Sequence, residues 1–330
     1  MLLRTVRKDG TGDYRTLTEA VQSIPYEEPA TIRVGAGEFV EKLFVEKRNL
    51  RILGSGMDST VLRWADGALH PHPDGTPTGT FRSYTAFLGG ERIEVRDMTI
   101  ANSAGDGETH GQAIAVYADA ARVFMQNVAL VSKQDTLFCA PLPERERLPR
   151  GFYGPRALNP RLSTRQLYRQ CRIVGDVDFI FGGADAVFDR CMLVSLDRGQ
   201  TVNGFVTAPS GLAEGLGFAF LDCAFTGPCA AGTVYLGRPW REEGRAVLWR
   251  CALGPHIHPQ GWAAWPGAGS EEKSFFAEVE SRGSGARDEE RVNWAHRLSE
   301  VETERWLTRV WALMAEVEGT LQSNHGTDNE

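Results

Sequence analysis

The chain has 330 residues and a formal net charge of −7 at pH 7, and 42% of its residues are hydrophobic, which is typical of a globular protein. The acidic balance argues against general nucleic-acid binding and against a basic protein of membrane surfaces. No apolar run approaches the ~20 residues that span a bilayer, so we expect neither nucleic acid nor membrane as a partner. The N-terminus becomes polar almost at once, which predicts no signal peptide and a cytoplasmic location. Secretion or export to the periplasm is the alternative.

A short helix is predicted near the N-terminus. Thr16 and Glu19 have the spacing of a capping box before an apolar stretch, and Pro25 would end the helix. Such a helix could cover the first strand of a sheet, whose edge would otherwise stay unpaired.

A short pattern recurs through the middle of the chain: an apolar or aromatic residue, two mostly polar residues, a small or sulfur-containing residue, any residue, and an apolar residue. Self-similarity at roughly 20–45 residues is typical of solenoids, and no long helical pattern separates these strand-like segments. We therefore predict an all-β fold, a single-stranded right-handed parallel β-helix with a short N-terminal capping helix and a C-terminal helical segment. One domain would span residues 1–330, with its solenoid core at about residues 30–270. The small or sulfur-containing positions are Met98, Val128, Cys171, Cys191, Cys223 and Cys251.

The repeat places four of the six cysteines on one interior ladder of small apolar side chains. Cys171 and Cys191 are one coil apart and could lie close enough for a disulfide, although we expect free thiols in a cytoplasmic protein. The cysteines show neither CxxC pairs nor zinc-type spacing, so we predict no metal site and no cofactor.

Two segments interrupt or follow the repeat. The insertion Ala140–Gln166 is rich in proline and arginine. It follows Asp135 directly, so we expect it to border a functional cleft, where its arginines either bind carboxylates or form a solvated charged loop. Residues of about 299–321 have a helical period and an apolar face, which predicts a helix packed on the flank of the solenoid. The polar tail, residues 323–330, is expected to fray.

Two aspartates, Asp135 and Asp178, lie in apolar, strand-like stretches. An unpaired charge is costly to bury there, so each aspartate needs a compensating partner or a catalytic role. Two such carboxylates predict an acid that works with a nucleophile or base. Asp176 lies two residues before Asp178, so on a regular strand both side chains would point the same way, and Asp176 could raise the local pKa.

Four motifs, in order and in spacing, resemble the signatures of pectin methylesterases. They are Gly111–Val116, Gln134–Leu137, Gly175–Gly182 and Leu236–Trp240, and the resemblance extends over about residues 8–300. The right-handed parallel β-helix of that family agrees with the fold predicted from the repeat. The resemblance implies a pectinesterase, a carboxylic ester hydrolase that demethylates galacturonate units of pectin or pectic oligosaccharides and releases methanol. We expect a monomer whose partner is pectin or a methylated oligogalacturonide.

The resemblance also implies the roles of individual residues. Asp178 would be the nucleophile, and Arg238 would orient it and keep it ionised. Asp135 would act as general acid on the leaving methoxide and then as general base on water. Gln112 and Gln134 would donate hydrogen bonds to the oxyanion. The implied substrate-binding residues are Thr80, Gln112, Phe181, Arg238 and Trp240.

Two alternative functions remain at this point. An esterase or thioesterase could use the same site on another acyl group, and the long insertion could shift the preference in that direction. A non-catalytic, pectin-binding solenoid is the other alternative. The presence of both aspartates, Arg238 and both glutamines argues against it, because a binding module does not need all five.

Overall fold

The structure is a computed structural model that describes residues 1–211, 214–267 and 269–322. The tail predicted to fray, residues 323–330, lies outside the described residues. Within them the chain forms a parallel β-helix of 21 strands with three α-helices, in agreement with the fold predicted from the repeat. The organisation of residues 1–330 as one domain stays a prediction.

The strands and helices are as follows. The strands of the first half are β1 (Leu2–Val6), β2 (Ala30–Val34), β3 (Gly37–Val40), β4 (Leu43–Leu53), β5 (Thr60–Trp64), β6 (Ala86–Asn102), β7 (Val116–Ala118), β8 (Arg122–Val131), β9 (Leu137–Cys139), β10 (Arg165–Arg169) and β11 (Arg172–Gly175). The second half has β12 (Val177–Gly182), β13 (Asp185–Asp189), β14 (Met192–Ser195), β15 (Gly204–Pro209), β16 (Phe218–Leu221), β17 (Ala224–Thr226), β18 (Val234–Gly237), β19 (Arg245–Trp249), β20 (Ala252–Leu253) and β21 (Phe275–Val279). The α-helices are α1 (Leu17–Gln22), α2 (Gly107–His110) and α3 (Glu300–Gln322), and short 3₁₀ turns occur at Thr80–Arg82, Ser270–Glu272 and Asp288–Glu290.

These strands pair in parallel and form three stacks along the solenoid. The first stack contains β1, β2, the end of β4, the middle of β6, the start of β8, and then β10, β13, β16, β19 and β21. The second contains β3, β5, the ends of β6 and β8, and then β11, β14, β17 and β20. The third contains the starts of β4 and β6, and then β7, β9, β12, β15 and β18.

The predicted interior ladder is present between the first and second stacks. Met98 pairs with Val128, and the residues that follow the four cysteines pair in the same register from coil to coil. Each ladder residue follows a residue with a left-handed backbone, φ between 49° and 56°, which turns the chain from one stack into the next. The left-handed residues are Asp97, Asn127, Gln170, Arg190, Asp222 and Arg250.

The six cysteines are all buried free thiols. The disulfide considered for Cys171 and Cys191 is therefore not formed in this structure. Their sulfur atoms instead donate to backbone carbonyl groups, Cys191 to Tyr168 at 3.3 Å and Cys171 to Arg169 at 3.4 Å.

The N-terminal helix α1 covers the first coil, as the capping-box spacing predicts. The hydroxyl of Thr16 accepts a hydrogen bond from the backbone N–H of Glu19 at 3.2 Å. A second acceptor comes from the next coil, because the Glu41 carboxylate accepts from the N–H groups of Leu17 and Thr18 at 2.9 and 2.8 Å. These contacts satisfy backbone donors that have no partner within the helix.

The C-terminal helix α3 packs on the outer face of the first stack, as predicted. Its apolar side chains form one buried cluster with side chains of β8, β10, β13, β16, β19 and β21. The helix is also held by Glu316, which accepts from Arg122 and Arg165 at 2.8 Å. No helix in the described part of the chain is both long and apolar enough to cross a membrane. The buried helix residues of this cluster are Trp306, Val310, Leu313, Met314 and Val317.

Candidate active site

The eight residues predicted for catalysis and substrate binding surround one cavity of about 330 Å³. A larger cavity of about 720 Å³ lies beside the last strand, but its most buried charged groups, Glu278 and Arg291, already form an ion pair at 2.6 Å. The smaller cavity is therefore the candidate active site. The predicted residues that line it are Thr80, Gln112, Gln134, Asp135, Asp178, Phe181, Arg238 and Trp240.

The third stack brings these residues together, because they lie at equivalent places on neighbouring coils. The backbone N–H of Ala113 donates to the carbonyl of Gln134 at 3.0 Å, and that of Asp135 donates to the carbonyl of Val177 at 3.0 Å. Arg238 follows β18, and its N–H donates to the carbonyl of Thr207 at 2.9 Å. Stacking therefore places groups that are far apart in the sequence on one wall.

Both aspartates have left-handed backbones, with φ of 65° at Asp135 and 49° at Asp178. The pairing of β12 with β15 also shifts register between Val177 and Ile180. As a result Phe179 and Ile180 both enter the interior core, although they are consecutive. A bulge of this kind changes the direction in which a strand presents its side chains, and here it exposes the Asp178 carboxylate to the cavity.

The same bulge separates Asp176 from Asp178, so the regular alternation expected from the sequence does not hold here. Asp176 does not line the cavity, and its carboxylate accepts from the backbone N–H of Val177 at 2.6 Å. The positive charges that act on it are those of Arg198 and Lys133. Its own charge contributes to the raised pKa of Asp135, but less than burial and Asp178 do.

Arg238 binds Asp178 through two parallel hydrogen bonds. Its Nε donates to Oδ1 at 2.9 Å and its Nη2 donates to Oδ2 at 2.7 Å. The guanidinium group lies between two aromatic rings, 3.9 Å from the ring centre of Phe205 and 4.3 Å from that of Trp265. The rings limit water access and add cation–π attraction, which strengthens the ion pair. Neither Phe205 nor Trp265 was predicted from the sequence.

The two carboxyl groups have different electrostatic surroundings. Burial and the charge of Asp178 raise the pKa of Asp135 well above its usual range, and Asp135 has no ion pair among the described residues. Burial also raises the pKa of Asp178, but the charge and hydrogen bonds of Arg238 oppose that rise. Asp178 therefore ionises first as pH increases, which leaves an ionised Asp178 beside a protonated Asp135.

The glutamines and aromatic residues complete the cavity. Gln112 and Gln134 are half-buried, and their side-chain amides form no hydrogen bond to the described residues, so their N–H groups are available to a ligand. Phe181 is 3% exposed and packs edge-on against Trp240, with ring centres 5.6 Å apart. Phe181 thus serves mainly as a wall, whereas the half-buried Trp240 offers part of its surface to a sugar.

Comparison with known proteins identifies the family. The pectinesterase family profile matches residues 4–144 and 160–310. Pectinesterase 31 of Arabidopsis thaliana is 32% identical over 307 residues, which cover 90% of this chain and 88% of that protein. The chain belongs to the pectinesterase family. The match to several longer plant relatives covers only about half of their length.

Solved structures share the fold with this pectinesterase-family chain. A pectin methylesterase from carrot has a TM-score of 0.76 and 26% identity, with 94% of this chain and 95% of the other covered. A pectin methylesterase in complex with a hexasaccharide has a TM-score of 0.73 and 24% identity, with 92% and 95% covered. The right-handed parallel β-helix predicted from the repeat is thereby confirmed.

One wall of the cavity comes from a part of the insertion, residues 145–159, that lies outside the ranges matched by the family. Arg147, Leu148, Gly151 and Phe152 line the cavity, which confirms that the insertion borders the cleft. Three of the six arginines of the insertion have contacts elsewhere. Arg156 pairs with Asp119 and Glu46, Arg161 donates to backbone carbonyls, and Arg165 pairs with Glu316.

No group of three or more His, Cys, Asp or Glu side chains within residues 1–211, 214–267 and 269–322 could hold a metal ion. The cavity presents carboxylates, amides and guanidinium groups.

Proposed function

We propose that this chain hydrolyses the methyl esters of galacturonate units in pectin or pectic oligosaccharides and releases methanol. The observation that carries the proposal is the pairing of Arg238 with Asp178 in a cavity that also holds the carboxyl group of Asp135, which has no ion pair among the described residues. Membership in the pectinesterase family supports the methyl ester as the bond that is hydrolysed and galacturonate as the sugar that carries it.

The first half of the reaction forms an acyl-enzyme. An ionised carboxylate oxygen of Asp178 forms a bond to the ester carbonyl carbon, and the bond from that carbon to the methoxy oxygen breaks. Protonated Asp135 gives its proton to the leaving methoxide, which departs as methanol. The order in which the two aspartates ionise supports this division of roles.

The second half regenerates the enzyme. Asp135 is now a carboxylate, and it takes a proton from a water molecule whose oxygen attacks the acyl carbon. The bond between that carbon and the Asp178 oxygen breaks, which releases the galacturonate carboxyl group and restores the pair with Arg238.

The amides of Gln112 and Gln134 would stabilise the negative charge that develops on the carbonyl oxygen in both halves. Both line the cavity and have no other side-chain hydrogen bond to the described residues. A single donor of this kind typically contributes ~3 kcal/mol to the transition state. Thr80 and Trp240, which line the same cavity, would contact the sugar units.

Methanol release from methylated pectin tests the proposal. The wild type should release methanol, and Asp178→Asn, which keeps the shape but not the nucleophile, should lose at least ~10³-fold in kcat. Asp176→Asn is the matched control, because Asp176 is equally buried and two residues away but does not line the cavity. It should stay within about fivefold of the wild type. If the wild type hydrolyses simple acyl esters but not methylated pectin, the result would indicate an esterase that acts on another acyl group.

We also propose that the protein works outside the cytoplasm, by secretion or in the periplasm. The relatives lend no support to the cytoplasmic location predicted from the sequence, whereas an enzyme of polymeric pectin must meet its substrate outside the cell. Activity confined to the cytoplasmic fraction of intact cells would overturn this proposal. The monomeric state stays a prediction that size-exclusion chromatography can check.

A further inference from the structure

We propose that the hydrogen-bonded pair His70–His110, together with helix α2, holds the side-chain amides of Gln112 and Gln134 in place for the oxyanion. The two histidines are positioning residues, because they act through the glutamines and not on the substrate. This inference rests on the proposed function, from which it takes the role of the glutamines.

The two imidazole rings form a hydrogen bond whose direction the backbone fixes. Nδ1 of His70 accepts from the N–H of Gly67 at 3.1 Å. A neutral imidazole that accepts at one nitrogen carries its proton on the other, so Nε2 of His70 donates to Nδ1 of His110 at 2.9 Å. The rings meet edge to face, with centres 5.1 Å apart. The pair therefore joins the segment of residues 67–79 to the last residue of α2.

Backbone hydrogen bonds beside the pair extend this junction to the first glutamine. The N–H of Leu69 donates to the carbonyl of His110 at 3.0 Å, and the N–H of Ala68 donates to the carbonyl of Gln112 at 2.8 Å. The histidine pair thus closes a small hydrogen-bonded unit. That unit fixes the backbone from which Gln112 reaches the cavity.

The first residue of α2 contacts the second glutamine. A Cβ atom on Gly107 would clash with Oε1 of Gln134, so glycine is what allows the helix to approach this amide so closely. The amide oxygen therefore lies against the helix. An oxyanion can accept a hydrogen bond only from the amide nitrogen, so this is the orientation that the proposed role of Gln134 requires.

Helix α2 has only four residues, so it depends on contacts at its ends. The Asp106 carboxylate accepts from the backbone N–H of Thr109 at 2.9 Å, which caps the first turn. At the other end the His110 ring packs against Gly105, where a Cβ atom would clash with it. The bond to His70 holds that ring. Losing it should let α2 shift and carry both amides away from the oxyanion.

Two substitutions of His110 separate positioning from packing. His110→Phe keeps a flat ring but cannot accept from His70, whereas His110→Asn keeps an acceptor near the place of Nδ1. In methanol release from methylated pectin, kcat of His110→Phe should fall about tenfold with KM within about twofold of the wild type, because oxyanion donors act in the transition state. His110→Asn should return kcat to within about threefold of the wild type. An unchanged kcat for His110→Phe, or no recovery in His110→Asn, would overturn the inference.

The matched control is His72→Phe, because His72 belongs to the same segment but contacts Asp74 and Arg82. It should leave kcat unchanged, and a loss equal to that of His110→Phe would count against positioning. Gly107→Ala tests the second contact. Its methyl group would displace the Gln134 amide, so kcat should fall about 100-fold while the melting temperature shows that the protein is folded. A wild-type kcat in Gly107→Ala would contradict the contact with Gln134.

A readout without catalysis separates this inference from the proposed function. Isotopically labelled glutamine gives side-chain amide signals of Gln112 and Gln134 in NMR spectra. His110→Phe should shift both signals, and His72→Phe should shift neither. If the wild type releases no methanol but His110→Phe still shifts both signals, the proposed function fails and the positioning stands. If the wild type releases methanol and His110→Phe moves neither signal, the positioning fails and the function stands.

Discussion

Arg238 binds both carboxylate oxygens of Asp178, and its guanidinium group is held between the rings of Phe205 and Trp265. Arg238→Lys keeps the charge but cannot form two parallel hydrogen bonds or stack as a plane. We expect kcat to fall about 100-fold and the acidic limb of the pH profile to move to higher pH. The physical reason is that the pKa of Asp178 rises when the neighbouring cation stabilises its ionised carboxylate less strongly.

The control for this substitution is Arg198→Lys. In the wild type, the guanidinium group of Arg198 pairs with the exposed Glu108 at 3.0 Å. It should leave both kcat and the pH profile unchanged. A profile of Arg238→Lys that keeps its acidic limb in place would show that Arg238 does not set the ionisation of Asp178.

The pH dependence of kcat/KM should be bell-shaped. Activity needs Asp178 ionised, so it rises as pH increases through the pKa of Asp178, which burial places above the usual range for aspartate. Activity also needs Asp135 protonated, so it falls as pH increases through the still higher pKa of Asp135. Methanol release measured over a pH series checks both limbs. A rate that stays constant from weakly acidic to alkaline pH would contradict the role of Asp135 as acid.

Replacing Asp135 should stabilise the folded protein at neutral pH while it abolishes catalysis. The pKa of Asp135 is raised in the folded state, so the unfolded chain loses this proton at lower pH and stability declines as pH rises toward the folded-state pKa. Each unit of pKa corresponds to ~1.4 kcal/mol, so Asp135→Asn should gain at least ~1 kcal/mol in unfolding free energy at about pH 7. It should gain almost nothing at about pH 4 or below.

Denaturant unfolding at the two pH values measures this difference. Asp58→Asn serves as the control, because the Asp58 side chain is 89% exposed. It should show no pH-dependent gain. A gain of equal size at both pH values for Asp135→Asn would indicate better packing rather than the removal of a titrating group.

Thiol titration should show whether all the cysteines are free thiols or whether Cys171 and Cys191 form a disulfide. All six cysteines are buried free thiols, so a thiol reagent should label none in the native protein and six after unfolding without reductant. Labelling of only four would show that Cys171 and Cys191 form a disulfide in solution. Addition of reductant should leave the melting temperature unchanged.

The flanking helix α3 should contribute substantially to stability. Val310 is fully buried against the outer face of the first stack, so Val310→Ala should cost ~2 kcal/mol of unfolding free energy, through lost apolar burial and the cavity that remains. Val301→Ala makes the same change on the same helix at a side chain that is 55% exposed. It should cost less than ~0.5 kcal/mol. Equal effects of the two substitutions would mean that packing of Val310 against the first stack does not explain the loss.

Much of the fold could be predicted because each coil repeats the same pattern of buried apolar and exposed polar positions. The ladder from Met98 to Cys251 was visible as a pattern, since every coil must place a compact apolar side chain at the same interior point. Thr16 and the apolar face of α3 were visible for a similar reason, because capping and amphipathic packing depend on residues close in sequence. The site residues carried by recognisable motifs were likewise found together in the cavity.

The parts that could not be predicted depend on departures from the repeat or on distant contacts. The bulge at Asp178 breaks the two-residue alternation, which is why the relation between Asp176 and Asp178 was misjudged. Phe205 and Trp265 were missed because nothing near them in the sequence marks them. Their role appears only when β15 and the segment between β20 and β21 lie on either side of Arg238.

The catalytic groups sit on successive coils that hydrogen-bond to one another, from Gln112 to Arg238. A growing chain therefore lacks a working centre until the coil that bears Arg238 has been synthesised and has docked on its predecessors. Any truncation before that point leaves Asp178 buried without its cation. The return of activity during refolding should consequently show when the coils from Gln112 to Arg238 have paired, whether or not the two ends of the solenoid have folded.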